Sequence, residues 1–481
     1  MHFNSYYIKH LLLIIVSICS IKCLGQTVLI SEDINVRSDE LYQIIGETDD
    51  YIYFFHDKSN KTNIHIYDSE LRYIRSNELT FEKKRIIPFA INILDGNINF
   101  IYYFKDKGQA IMMARQYDSQ MALLERDTIF VTERSEFTPR FAISESDDGS
   151  KVMIYTVEKN STIFAHCFDL NSYGYLWYSE IETEGRLRDH FAEALVSNAG
   201  AGYFVMNKSP NGFRKQRLEL DVIRFSKGLQ KPVTFSVAIP EIKSVDEYIV
   251  YDNVNDYIVV SGLYGNKPNN RLNGLYALRI SVLNPEKRIY QKYPFDKQLE
   301  NEIIAEEKDK QEGVIDLEPV DIVLREDGGL VLISEIQKTQ QRYGGLASAD
   351  RGRNPGSRNW TDFFHEDLVM HALFPDGSQH WNLVLHKKQY SQDDNGVYSS
   401  YFLFKNRSAI RLFFNDEISS SSTVSEYIIT GSGKSQRKSV MSTEYQKLRL
   451  RFTDAIQLDG KSFIVPGDSG SKMKLVKVAY E

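Results

Sequence analysis

The chain has 481 residues, 42% hydrophobic and 12% aromatic, with 58 Lys and Arg against 65 Asp and Glu. That composition is globular, not disordered, and 28 glycines with 12 prolines are too few for collagen or a long linker. A formal net charge of -7 argues against a nucleic-acid partner, because phosphate recognition needs a clustered basic surface.

Residues 1–25 read as a secretory signal peptide. Lys9 and His10 precede an apolar run from Leu11 to Cys19, and Cys23-Leu24-Gly25 places small residues at the cleavage site before Gln26. The run is too short to span a bilayer, so no transmembrane segment is expected after cleavage. Neither Cys19 nor Cys23 follows a small residue, as lipid attachment would require. Cleavage leaves Cys167 as the one cysteine. It lies in the apolar stretch Ile163–Phe168 and reads as a buried, inert thiol.

From there the chain alternates short Tyr-, Phe-, Ile- and Val-rich runs with polar turns, the pattern of antiparallel strands. Units open with paired runs: Tyr42–Ile45 and Tyr51–Phe55, Phe89–Leu94 and Ile98–Phe104, Phe141–Ser144 and Val152–Val157, and Ala192–Val196 and Tyr203–Met206. The later pairs are Tyr248–Tyr251 and Tyr257–Leu263, Val320–Leu324 and Leu330–Ile336, Tyr398–Phe404 and Ala409–Phe414, and Asp454–Leu458 and Ser462–Val465. A second hairpin follows in most units, for example Ile64–Tyr67 with Arg72–Leu79.

Four strands recurring every ~45–55 residues is the period of a β-propeller blade. The predicted fold is all-β: one propeller of four-stranded antiparallel blades over residues 26–481. The count favours eight blades, or seven if one irregular unit has been divided in two. The last unit has three strands of its own, and Thr27–Arg37 can supply the fourth and close the ring. Over its mature length the chain resembles the β-propeller superfamily, without a WD dipeptide, a kelch double glycine or a properly spaced Asp-box. The Lys-, Ile- and Tyr-rich composition, the Gln26 start and the stretch Gln392–Asp416 resemble exported propeller proteins of Bacteroidota. That resemblance implies a periplasmic or outer-membrane, cell-surface location.

Blade topology assigns the long connections Asn207–Arg217, Tyr264–Asn273, Lys297–Gly313, Thr339–Phe363, His386–Val397 and Glu417–Val424 to one face, over blades four to seven. Long loops on a rigid scaffold carry binding residues. Lys297–Gln311 has helical spacing and is expected to pack on its own blade. Thr339–Phe363 offers Arg342, Tyr343, Arg351, Arg353, Arg358 and Trp360, which suit an anionic or sugar-like ligand or a protein surface. Tyr390, Asp393 and Asp394 stand in the next crossing, where paired carboxylates suit acid–base work.

Gly467-Asp468-Ser469-Gly470 imitates a serine-protease nucleophile but lacks that family's His motif, so a plain turn is expected. His365 and His371 lie six apart on one strand, a span of ~20 Å, too far to share a metal. No metal or cofactor is called for, and no carboxylate recurs at equivalent first-strand starts. The expectation is therefore an exported, non-catalytic protein-binding or scaffold subunit, with an envelope protein as partner. The alternative is a glycan- or peptide-directed enzyme using funnel carboxylates, or a polysaccharide binder.

Overall fold

The computed structural model describes residues 26–480 apart from 38, 59–60, 135–139, 160, 184–190, 209–217, 230, 240–243, 267–270, 304–312, 344–358 and 419–421. Eight antiparallel sheets follow one another along the chain, seven of them built from four or five consecutive strands. The innermost strands of blades 1 to 7 are Leu41–Glu47, Ile87–Leu94, Phe141–Glu145, Phe191–Val196, Ser244–Asp252, Leu317–Leu324 and Phe402–Lys405. In blade 8, Ile456–Gln457 and Arg449–Leu450 both pair with Ser462–Ser469, which pairs with Lys472–Tyr480. Gln26–Ile30 then adds to Lys472–Tyr480 in the register Gln26 to Tyr480. The chain is an eight-bladed β-propeller closed by its N-terminal strand, as the repeat predicts.

Each blade buries both faces against its neighbours, so its middle strands are apolar in both registers, whereas outer strands such as Leu123–Val131 are largely exposed. Tyr53, Phe55 and Ile64 of blade 1 share one core with Phe100, Tyr102 and Met113 of blade 2. Turn chemistry sets the hairpins. Asp95 and Gly96 adopt φ of 49° and 76°, the left-handed pair that matches strand twist in a two-residue loop. Asp68 and Asp118 each accept backbone N–H bonds from residues two and four further on. Those turns put Leu71 and Met121 at positive φ and plug them, buried, into the blade interfaces.

Blades 3 and 4 pack close at Gly202. A Cβ there would meet Met153 Sδ at 2.8 Å and the Trp177 ring at 2.9 Å. Gly202→Ala is expected to cost about 1–3 kcal/mol by overpacking, measured as a lower urea midpoint at unchanged slope. Beside this contact Cys167 is buried in the same core, and burial pushes its thiol up to about 12. It is inert, as its apolar setting predicts.

All six long connections join strands two and three of a blade or cross between blades, so the topology puts them on one face. The one in blade 6 differs most from expectation. The second hairpin of blade 6 is not a loop from Thr339 to Phe363: strands Leu330–Tyr343 and Asn359–Leu373 continue past the blade and pair out to Tyr343 and Asn359. Gln389–Gln392 adds to it as a further strand, and the result is a three-stranded flap. The predicted helix is present over Lys297–Ile303, with Leu299 and Ile303 buried in the core that joins blades 5 and 6. Residues 304–312 lie outside the described residues.

Candidate functional site

The long-connection face holds two polar structures, a cavity termed the mouth, and the flap. The mouth is a cavity of about 1070 Å³ between the inner strands of blades 8 and 1, walled also by Tyr398 from the crossing into blade 7. Arg451 organises it. Its Nε donates to Asp454 Oδ2 at 2.8 Å, and its Nη1 stands 3.6 Å from Asp468 Oδ2. Tyr42 donates its hydroxyl to Asp454 Oδ2 at 3.2 Å, and Tyr398 donates to Asp468. The Arg451 guanidinium lies over the Tyr42 ring, and that of Arg449 over Tyr398.

Burial, with help from the carboxylates, pushes both tyrosine hydroxyls up, so they remain donors. Burial opposes the Arg451 charge, but Tyr42, Asp454 and Asp468 outweigh it and raise its proton affinity. Asp39, Glu40, Arg37 and Lys472 complete a rim carrying both signs of charge. Glu40 Oε2 also meets His56 Nε2 at 2.8 Å and accepts the Arg37 N–H at 3.0 Å.

Glu193 of blade 4 and Asp321 of blade 6 stand on innermost strands. Each directly follows a β-bulge and lies three residues before its strand's last residue, Val196 or Leu324. Burial raises the pKa of both, and both act electrostatically on Tyr248 of the intervening blade. Carboxylates therefore do recur at equivalent positions in two blades, past a bulge rather than at strand starts.

The flap holds several of the predicted residues. Arg342 Nη2 donates to Asp362 Oδ1 at 2.7 Å and to Tyr390 Oη at 3.2 Å, while Tyr390 donates to Asp362 Oδ1 at 2.9 Å. The Arg342 bond holds the Asp362 carboxyl below its ordinary value. Trp360 lies opposite Arg342 in the strand register. Asp393 and Asp394 hold the crossing instead of facing each other. Asp393 Oδ1 accepts the Thr361 N–H at 2.8 Å, and Asp394 Oδ1 accepts Ser391 Oγ at 2.8 Å and the Gly396 N–H at 2.9 Å. Arg351, Arg353 and Arg358 lie outside the described residues, as does the side chain of Tyr343.

Under the flap sits a buried pair that the sequence did not signal. Glu335 Oε1 stands 2.6 Å from Lys387 Nζ, and Glu335 Oε2 accepts Gln337 Nε2 and Ser400 Oγ and lies 3.2 Å from His365 Nδ1. Ser400 and Tyr398 share the same crossing, which therefore ties the flap to the mouth. Gly467–Gly470 does form a turn, but Asp468 within it belongs to the mouth. Among the described residues no group of three His, Cys, Asp or Glu side chains is placed to hold a metal. Among the described residues no helix is long and apolar enough to cross a membrane.

No known protein family matches the chain, and no curated protein does. Solved structures match as propellers. Dipeptidyl peptidase 4 of Porphyromonas gingivalis is 11% identical with a TM-score of 0.45, over 90% of this chain and 56% of that one. The propeller domain of the Trilobed protease of Pyrococcus furiosus is 11% identical with a TM-score of 0.36, over 86% and 98%. The WD40 domain of SCAP from fission yeast is 8% identical with a TM-score of 0.40, over 95% and 98%. The chain spans 56% of the dipeptidyl peptidase and 55% of a prolyl endopeptidase that it also matches.

Peptidase propellers stand among these neighbours, against the expectation of a non-catalytic binding or scaffold subunit. At these identities the likeness establishes the fold alone, so the activity is argued from this chain's own residues.

Proposed function

We propose that this propeller is a peptide-directed enzyme whose substrate enters at the mouth and is worked on by funnel carboxylates. The observation that carries the reading is the inner-strand pair Glu193 and Asp321, both raised in pKa by burial and set at equivalent strand positions. A carboxyl whose pKa is raised by burial serves better as acid or base than an exposed one. The mouth supports peptide as the substrate class. A short peptide carries one charge of each sign at its ends, and the rim pairs Arg37, Arg451 and Lys472 with Asp39, Asp454 and Asp468. In hydrolysis one carboxylate takes the proton of the attacking water and the other, protonated, gives its proton to the departing nitrogen. The 25-residue N-terminal segment adds export to this proposal.

The test is digestion of a mixed peptide library read by mass spectrometry, for the parent chain and for Glu193→Gln and Asp321→Asn. Each variant is expected to lose activity by about 10²–10⁴-fold, while Arg451→Met raises KM. The parent rate is expected to fall on the acid side at a pH above the ordinary carboxylate range of about 4, because the pKa values of both groups are raised. No cleavage of any peptide by the parent would overturn the reading.

A further inference from the structure

Away from mouth and flap, the outer end of the interface between blades 2 and 3 opens into a groove of about 1060 Å³. Its floor is aromatic and uncharged. The Phe130 ring of blade 2 stacks on the His166 ring of blade 3 at 3.9 Å between centroids and 12° between planes. Burial lowers the His166 pKa to about 4, so the imidazole is neutral at physiological pH.

Tyr175 and Tyr178 stand over this floor. Three residues apart on one strand, they should point to opposite faces. A β-bulge opposite Cys167 and Phe168 shifts the register, so that Tyr178 pairs with His166 and Tyr175 with Phe168, on one face. Both rings are held: Tyr175 Oη lies 3.0 Å from His166 Nδ1 and Tyr178 Oη 3.4 Å from Glu180. Yet they are 44% and 48% exposed. Glu133, Glu158 and Glu180 edge the groove together with Arg134 and Lys159.

We propose that this groove binds a neutral oligosaccharide, with sugar rings stacked on Tyr178 and Tyr175. A pyranose has an apolar C–H face and a polar rim. The groove is built the same way, with rigid amphipathic rings at the centre and hydrogen-bonding groups around them. Two tyrosines already fixed in place lose little freedom on binding. Three rim carboxylates stand against two cations, so the rim offers a uronate chain no net attraction. The site is separate from the funnel and does not depend on the peptide reading.

Calorimetric titration of the full chain with hexasaccharides of β-1,4-linked glucose, mannose and N-acetylglucosamine tests it, with a galacturonate hexasaccharide as the charged comparison. At least one neutral chain is expected to bind, with Tyr178→Ala weakening it about tenfold or more and Tyr178→Phe by less than about threefold. Both variants are expected to keep the parent's unfolding midpoint, because the ring is half exposed. Failure of every neutral chain at millimolar concentration, undiminished binding by Tyr178→Ala, binding of galacturonate alone, or capture of a library peptide in the groove instead would each overturn the proposal.

Discussion

A chain that begins at Arg37 instead of Gln26 is expected to unfold at a much lower urea concentration. Gln26–Ile30 is the outer strand of blade 8, and the chain continues along it: Ser31 N–H bonds Leu475 O at 2.9 Å, and Ile34 and Met473 exchange backbone hydrogen bonds. Val28 and Ile30 pack on the core between blades 7 and 8, Leu29 on the core between blades 8 and 1, and Ile34 is buried in the latter. At about 1 kcal/mol for each half-buried chain and about 2 for Ile34, the loss is on the order of 5 kcal/mol. It also uncovers the edge of Lys472–Tyr480 for pairing with other chains. A permuted chain separates closure from chain position. Because Gln26 lies opposite Tyr480, a two-residue turn can join them, with new ends at the exposed turn of Gly228. That permutant is expected within about 1 kcal/mol of the parent. If it were as weak as the truncated chain, closure would not be what the strand supplies.

The blade repeat is legible in the sequence because most strands are buried on one face or both and bounded by polar turns. The N-terminal closure is legible because one unit is a strand short. The flap is not, for a physical reason. Lys338–Arg342 stand above the blades where neither face meets a core, so the alternation that marks a strand is absent, and polar residues read as loop. Tyr175 with Tyr178, and Glu193 with Asp321, were hidden by β-bulges, each of which shifts side-chain facing by one residue. Asp468 was hidden inside a turn motif, because its role depends on Tyr398 and Arg451 arriving from elsewhere in the ring. Arg342 and Tyr390 were singled out for exposure and chemistry, and the structure brings them together through Asp362, a residue with no sequence signal of its own.

Lys387→Met is expected to be the most damaging single substitution beneath the flap. Its ammonium is buried beside Glu335, and it also donates to His365 O at 3.1 Å and Gln389 Oε1 at 3.0 Å. Removing it leaves the fully buried Glu335 carboxylate without its cation, at a cost of about 3–5 kcal/mol. Glu335→Gln/Lys387→Met removes both charges and is expected to recover much of that loss. A single variant no weaker than the double would show that the ion pair is not what matters.

The pH dependence follows the same logic. Burial alone would raise the Glu335 carboxyl, but Lys387 and the His365 hydrogen bond bring it down to about 2. That lies below the unfolded value of about 4.3. Its stabilisation is therefore complete above about pH 4.3 and is lost as the pH falls toward 2. Burial lowers the Lys387 pKa against the pull of Glu335, so the pair's net contribution is smaller than the Glu335 shift alone indicates. In Lys387→Met the order reverses. The stranded carboxylate is relieved by taking up a proton, so the variant's deficit relative to the parent is expected to shrink as the solution is acidified. Urea midpoints of both chains between pH 7 and 3 measure that convergence. A deficit constant across the range would assign the loss to packing of the lysine stem instead of to the unpaired charge.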